Sequence, residues 1–248
     1  MIKLSNPPII EVVIGVQFSS PLIDNKLIYD CYQLIKESFP EIKENPILPS
    51  IIENIDGPNQ ENLLTGFHSR KWFVNSEGHK LIQLQPDRLL FNWRKSNSEK
   101  AYPHFQNVLG EFMQVFSKFD HICSFKELIN QLEITYVDHI YLDDFNLKNF
   151  EINSIFNFWN FPKPLKNITN IFSFGHPEIN GVINVNIQSA ISNIDQRKLI
   201  TCSTTCRGMF NEDQDMQQWF DLSHDIIIDL FTDLISDKAK QIWGFKKL

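Results

Sequence analysis

The stretch Gly181-Val-Ile-Asn-Val-Asn-Ile-Gln-Ser-Ala-Ile191 alternates apolar side chains with amides along its length. A period of two residues is the pattern of a β-strand that buries one face and keeps the other polar. The strand predicted after it, from Lys198 to Arg207, carries Thr201, Ser203 and Thr205 on the same face as its arginine. Two neighbouring strands of this kind predict a sheet with one apolar face and one face rich in hydrogen-bonding groups.

Further strands and helices follow from β-branched segments and from apolar residues at helical spacing. Strands are predicted at Ile9–Phe18, Ile47–Ile55, Lys71–Asn75, Lys80–Gln85, Arg88–Trp93, Gln131–Tyr141 and Asn167–Phe174. Helices are predicted at Asn25–Phe39 with Asp24 as N-cap, from Pro103 to Phe119, at Leu147–Asn157 and at Asp215–Ile242.

The order of these elements repeats along the chain. Residues 1–120 and residues 130–248 each run strand, helix, three or four antiparallel strands, helix. This order predicts an α+β protein made of two pseudo-equivalent halves, with helices backing the sheet and both halves packed as one globular unit.

Composition limits the possible classes of function. The chain has 248 residues, of which 42% are apolar, so it can bury a sizeable core. Its net charge of −7 argues against general binding to nucleic acids or anionic membranes, which need clustered Lys and Arg. No signal peptide is visible, and no apolar run reaches the roughly 18 residues of a membrane span. With four cysteines that form no disulfide framework, these features predict a cytoplasmic protein.

No strong catalytic or metal-binding motif is present. The sequence has no Gly-rich phosphate loop and no Gly-x-Ser-x-Gly elbow, and no two histidines have a metal-binding helix spacing. Cys202 and Cys206 fall on one face of a predicted strand, roughly 13 Å apart, which is too far for a disulfide or a shared zinc ion. We therefore predict no catalytic residue, no metal and no cofactor.

The polar face of the sheet supplies one set of candidate residues. It is either a solvent-facing surface with ion pairs, or a polar cavity whose arginines and amides bind a small molecule or a peptide. Pairing of Arg94 with Glu11, and of Arg207 with Glu133 or another carboxylate, is expected if these arginines are buried. The ligand-binding candidates are Glu11, Arg94, Glu133, His139, Asn186 and Arg207.

The last predicted helix supplies a second set. Aspartates recur every four residues from Asp221 to Asp237 and form a slowly winding acidic ridge. Like charges at this spacing oppose helix formation by roughly 0.2–0.5 kcal/mol per pair. The ridge is either a solvated helix face or a docking surface for a basic partner. The partner-binding candidates are Asp221, Asp225, Asp229 and Asp233.

Five segments, spread over nearly the whole chain, resemble those of a known family in their order and spacing. They are Asn6-Pro-Pro-Ile-Ile-Glu11, Gln85-Pro-Asp-Arg-Leu-Leu-Phe-Asn-Trp-Arg94, Tyr102-Pro-His-Phe105, Leu132-Glu-Ile-Thr-Tyr-Val-Asp-His-Ile140 and Ser223-His-Asp225. The set resembles a sporadically distributed bacterial family of uncharacterised proteins of about 250 residues. That family has no assigned activity, so the resemblance implies no catalytic residue. Its patchy distribution is typical of mobile-element and defence cargo.

Two functions remain open at this point. The first is a non-enzymatic interaction or regulatory protein with a protein partner, such as a defence or mobile-element accessory or an immunity factor. The second is a small-molecule- or peptide-binding domain, or an enzyme, that uses a polar pocket on the sheet face. A deep pocket with Arg94 or Arg207 beside Glu11 or Glu133 favours the second, and a filled interior with a flat acidic surface favours the first.

Overall fold

The computed structural model describes residues 2–55, 57, 60–62, 69–95, 101–158, 163–211 and 213–247. Thirteen strands lie within these residues: β1 (Ile2–Leu4), β2 (Ile9–Phe18), β3 (Glu41–Pro46), β4 (Ser50–Ile52), β5 (Gln60–Asn62), β6 (Ser69–Val74), β7 (Lys80–Gln85), β8 (Arg88–Arg94), β9 (Ile129–Tyr141), β10 (Thr169–His176), β11 (Gly181–Ile191), β12 (Lys198–Met209) and β13 (Phe245–Lys247). The α-helices in the same residues are α1 (Asn25–Ile35), α2 (Phe105–Cys123), α3 (Met216–Leu234) and α4 (Asp237–Ile242).

One large antiparallel sheet organises the chain. Within the described residues it has nine strands in the order β10-β11-β12-β9-β2-β8-β7-β6-β3. The central pair, β2 and β9, places Gly15 opposite Glu133. Strands β1 and β13 pair separately and bring residues 2–4 beside residues 245–247. The predicted mixed α+β fold is therefore confirmed, whereas the division into two pseudo-equivalent halves, 1–120 and 130–248, stays a prediction.

The helices α1, α2 and α3 pack on one face of this sheet, here called the helix face. Alternation along β2 turns Val12, Ile14 and Val16 toward them, and these three side chains are completely buried. In α2 the predicted apolar stripe is buried from Phe105 to Phe119. Helix α1 begins as predicted, because the Asp24 carboxylate accepts a hydrogen bond from the backbone N–H of Leu27 at 2.8 Å.

Two predicted helices are wrong in extent. Residues 147–157 form no α-helix, because their backbone pairs with other segments: Phe150 bridges to Leu165, and Phe156 bridges to Ile235. Within these residues only one short 3-10 turn, Ile152–Ser154, is present. The helix predicted to run to Ile242 ends at Leu234, because Ile235 is extended and the Ser236 side chain caps the separate helix α4.

The strand predicted at Ile47–Ile55 is much shorter in the structure and lies outside the main sheet. The neighbouring residues of β3 take the edge of the sheet instead, and only β4 is a strand, paired with β5 outside the main sheet. Pro46 and Pro49 lack backbone N–H groups, so an uninterrupted ladder through this segment is excluded. Residues 46–55, here called the strap, cross the face of the sheet opposite the helices.

Gly15 is required by the close approach of two strands at the centre of the sheet. A Cβ atom at this position would lie 2.6 Å from the carbonyl oxygen of Leu89, closer than real Cβ contacts. Because that oxygen belongs to β8, we expect Gly15→Ala to lower the free energy of unfolding by about 1–3 kcal/mol, measured by chemical denaturation.

Gly110→Ala is the control, since its Cβ meets nothing within 4 Å. It should be neutral or stabilise α2 by up to about 1 kcal/mol. Equal stability of the two variants would contradict the close approach.

Candidate functional site

The face of the sheet without helices, here called the helix-free face, carries all six ligand-binding candidates. Residues directly opposite each other in antiparallel strands project to the same side. Glu11 lies opposite Arg94, and Glu133 lies opposite Arg207. The central pairing of Gly15 with Glu133 places these two pairs on the same side of one continuous sheet. His139 shares that side because it lies six residues from Glu133 in β9. Asn186 shares it because it lies opposite Ser203, which is four residues from Arg207 in β12.

At one end of this face, Arg207 binds two carboxylates. Its Nε donates to Glu133 Oε2 at 2.9 Å, and its Nη1 donates to Glu53 Oε1 at 2.6 Å. All three residues are buried, with exposed fractions of 9%, 5% and 6% for Arg207, Glu133 and Glu53. The expected pairing of Arg207 with Glu133 is therefore present, and the strap adds a second carboxylate that the sequence did not predict.

A second arginine completes what we call the ionic cluster: Arg88, Arg207, Glu53 and Glu133. Arg88 Nη1 lies 3.7 Å from Glu133 Oε2, and Arg88 also donates to the side chain of Gln17. Burial raises the pKa of Glu133, but the positive charges of Arg207 and Arg88 outweigh it and hold that pKa below its ordinary value. Glu133 is thus ionised at neutral pH, and the cluster balances two cations against two carboxylates.

Side-chain amides of the sheet hold the backbone of the strap. Gln85 accepts from the N–H of Leu48 at 2.9 Å and donates to the carbonyl oxygen of the same residue at 3.0 Å. Arg88 Nη2 donates to the carbonyl oxygen of Pro49 at 3.3 Å. These contacts use only backbone groups of the strap, so they do not depend on its side chains.

Two more glutamines continue this pattern toward the ionic cluster. Gln131 donates to the carbonyl oxygen of Ile51 at 2.7 Å and accepts from the N–H of Glu53 at 3.1 Å. Gln17 donates to the same carbonyl oxygen of Ile51 at 3.2 Å. The strap is therefore held in extended form by amides at two points, and the Glu53 carboxylate is directed onto Arg207.

The other predicted ion pair takes a different form. Arg94 lies opposite Glu11, but its Nε donates to the carbonyl oxygen of Gly78 at 2.8 Å. The Glu11 carboxylate instead accepts from Asn92 Nδ2 at 2.6 Å. Burial raises the pKa of Glu11, and the Asn92 hydrogen bond and the Arg94 charge act in the opposite direction. Arg94 and Glu11 are neighbours without the direct ion pair that their register suggests.

His139 and Asn186 do not join the ionic cluster. His139 is half-buried toward the other end of β9, where its ring stands edge-on to Tyr141 at 6.4 Å and burial lowers its pKa. Asn186 lies between Ile171 and Ser203 in the register of β11. Both residues therefore extend the polar face without contacting Arg207.

Unpaired polar atoms are concentrated at this face. Each has negligible solvent exposure and no hydrogen-bond partner among the described residues, although buried polar groups are normally paired. Those on or beside the face are Glu53 Oε2, Arg70 Nε, Trp72 Nε1, Gln83 Oε1, Asp87 Oδ2, Arg88 Nε and Asn186 Oδ1. The face therefore has hydrogen-bonding capacity that the strap does not use.

A separate polar cluster lies on the helix face. Tyr136 Oη is 2.8 Å from His224 Nδ1 and 3.3 Å from Tyr102 Oη, and the His224 ring stacks on Phe105 at 4.2 Å. These contacts join β9 to the start of α2 and to α3. Asp138 is buried on the same side of β9, where burial raises its pKa to about 8. Three segments of the family resemblance thus meet in this cluster.

The acidic ridge follows α3. Asp225, Asp229 and Asp233 are exposed, whereas Asp221 is half-buried and accepts hydrogen bonds from Gln106 at 2.8 Å and Gln217 at 3.2 Å. Within α3, three of the four ridge aspartates therefore present carboxylates to solvent, and Asp221 is used within the fold. The fifth predicted member, Asp237, lies in the separate helix α4.

The residues that the structure describes contain neither a metal-binding cluster nor a helix that could span a membrane. In that part of the chain, no group of three or more His, Cys, Asp or Glu side chains is placed to hold a metal ion. No helix there is long and apolar enough to cross a membrane. No known family model matches the chain, and no curated protein is similar to it.

The sequence missed three residues of the site: Glu53, Arg88 and Gln131. Arg88 and Gln131 could have been found, because they continue the alternation of Asn92 with Arg94 and of Glu133 with His139. Glu53 carried no such signal, since its segment resembles a strand of the sheet and reaches Arg207 only by crossing over the face.

Proposed function

We propose that this protein is a non-enzymatic interaction protein that binds an extended polypeptide segment on the helix-free face of its sheet. The observation that carries this proposal is the way Gln85 and Gln131 hold both N–H and C=O groups of the strap backbone. Backbone hydrogen bonds supply affinity for extended peptides of many sequences, and side-chain contacts at selected positions supply specificity. The strap is an example of such a bound segment.

The strap covers the helix-free face at Arg207, and this favours peptide binding over an enzyme with a deep pocket. Arg207 lies beside Glu133, but Glu53 of the strap occupies the position against the guanidinium group. The family resemblance implies a regulatory, immunity or defence-accessory role. Such a role requires a partner protein, which would supply the extended segment. The exposed carboxylates of the acidic ridge offer a second surface to the same partner.

A peptide added in trans tests the proposal. Leu48→Pro in the full-length chain removes the N–H that Gln85 accepts, and so loosens the strap without changing the sheet. We expect a fluorescent peptide with the sequence of residues 46–55 to bind this variant saturably, as measured by anisotropy. The same peptide N-methylated at Leu48 should bind roughly tenfold more weakly, because one backbone donor is lost.

A scrambled peptide of the same composition should bind more weakly than the strap peptide, because its prolines and its glutamate fall at other positions. Failure of the strap peptide to bind the Leu48→Pro chain, or equal binding of the N-methylated peptide, would overturn the proposed function. Circular dichroism and thermal unfolding of the variant establish that the sheet is intact.

We further propose that residues 1–120 and 130–248 are structural equivalents. The strand order supports this: outward from the centre, one side runs β2, β8, β7, β6 and the other runs β9, β12, β11, β10. In both halves the first strand of the main sheet, β2 or β9, is central. The last main-sheet strand, β8 or β12, lies beside it and is followed by a long helix, α2 or α3. The binding face would then span both halves, with the ionic cluster where they meet.

A further inference from the structure

We infer that the partner segment is acidic and places a glutamate or aspartate carboxylate on Arg207, in the position that Glu53 occupies in the free chain. This inference rests on the proposed function. Its basis is that the strap is bound in two different ways. The contacts to Leu48, Pro49 and Ile51 use backbone atoms alone, whereas the contact at Glu53 uses the side chain as well.

Charge at this end of the face explains why the position requires a carboxylate. Burial and the nearby charge of Arg88 both lower the pKa of Arg70, which places a third cation near the ionic cluster. Within the ionic cluster itself, Arg88 and Arg207 balance Glu53 and Glu133. When Glu53 is withdrawn, two buried cations face one carboxylate, with Arg70 as a further cation nearby. A carboxylate from a partner restores the balance, whereas a neutral or basic side chain does not.

The geometry around Glu53 is specific for a planar acceptor. Its Oε1 accepts from Arg207 Nη1 at 2.6 Å and from Asn184 Nδ2 at 3.2 Å. Arginine presents its donors in a fixed fork that suits a carboxylate, and amide donors add direction. Gln131 binds the N–H of the same residue at 3.1 Å, so the backbone and the carboxylate of one acidic residue are held together.

The strap leaves part of this site unused. Glu53 Oε2 and Arg88 Nε are buried and have no hydrogen-bond partner among the described residues. A partner carboxylate that takes the place of Glu53 and also accepts a hydrogen bond from Arg88 Nε would bind better than the strap does, although the strap has the advantage of being covalently attached. The strap therefore acts as an internal competitor, and the apparent affinity of a partner falls by the fraction of chains in which Glu53 is in place.

Two peptides that differ only in a carboxylate or an amide at the position of Glu53 test the requirement for an acidic residue. The full-length Leu48→Pro chain is titrated with the fluorescent 46–55 peptide and with the same peptide carrying Glu53→Gln. We expect the glutamate peptide to bind at least tenfold more tightly than the glutamine peptide, because only the former is charged. An aspartate peptide should lie between them, since its carboxylate is one methylene shorter.

The outcomes separate the inference from the proposed function. If neither peptide binds, the proposed function fails and this inference fails with it. If both bind with equal affinity, recognition of the backbone stands and the acidic requirement is overturned.

Competition by the strap is tested in the protein itself. Glu53→Gln in the chain keeps the side-chain shape but weakens its hold on Arg207, so the glutamate peptide should bind this variant at least fivefold more tightly than it binds the parent. Glu44→Gln is the matched control. Glu44 lies on the edge strand β3 and pairs with Lys71 of β6, far from Arg207 in the sheet order. The control should bind the peptide as the parent does. Equal affinity of the Glu53→Gln variant and the parent would overturn the competition.

Discussion

Arg207→Ala should lower the free energy of unfolding by about 3–5 kcal/mol, because it leaves buried carboxylates without their cation. Glu133 loses its closest partner, at 2.9 Å, and Glu53 loses the donor at 2.6 Å. Arg88 remains 3.7 Å from Glu133, and this residual pairing keeps the loss below that of a fully isolated carboxylate. Urea denaturation of the variant and the parent measures the difference.

The control for this prediction is Lys26→Ala, which breaks an exposed ion pair with Asp30 on α1 and should hardly change the midpoint of unfolding. A double-mutant cycle with Glu133→Gln then isolates the pair. The double variant should lose less stability than the sum of the single variants, since removing Glu133 removes one stranded charge. Additive effects would show that the two side chains do not interact in solution.

Asp138→Asn should raise the free energy of unfolding, and the gain should grow with pH. Burial raises the pKa of Asp138 to about 8 in the folded protein, whereas an unfolded aspartate titrates near 3.9. The folded chain therefore keeps a proton that the unfolded chain releases. The stability contributed by this group is fully present below pH of about 4 and is lost progressively as pH rises to about 8.

Asparagine has nearly the same shape and no titrating proton, so the variant escapes this loss. Denaturation curves at intervals of one pH unit should show a gain of about 3–5 kcal/mol at pH 8 that declines to zero or below near pH 4. The extra amide donor of asparagine in a buried site reduces the gain by a pH-independent amount. Asp225→Asn, at an exposed position of α3, is the control. A stability difference between Asp138→Asn and parent that stays constant from pH 4 to pH 8 would exclude a buried, protonated Asp138.

Strand β9 carries one carboxylate on each of its two faces, and the two have pKa shifts in opposite directions. Glu133 and Asp138 both belong to β9, but they lie an odd number of residues apart and so project to opposite sides. Glu133 meets two arginines and has its pKa lowered, whereas Asp138 is buried among apolar and aromatic side chains and has its pKa raised. The same residue class thus serves as a charged anchor on the helix-free face and as a neutral group in the core.

Period-two alternation was sufficient to predict most of the sheet. The bounds of β2, β7 and β11 match their predicted strands, because the residue pattern of each strand and the turn residues that delimit it are local in the sequence. Alternation also placed the six ligand-binding candidates on sheet faces, since side-chain direction in a strand follows from position alone. The Asp24 cap was equally local, because it needs only the first turn of its own helix.

Only the tertiary structure decided which of these groups meet. Glu53 and Arg207 are 154 residues apart in the chain, and their contact depends on the strap crossing the face after two prolines exclude it from the sheet. The pairing of β2 with β9 likewise sets Glu133 within reach of Arg88, although no local pattern specifies which strands are neighbours. The physical reason is that hydrophobic periodicity fixes the direction of each side chain within its own strand, whereas the partners across strands depend on register, strand order and loop path over the whole fold.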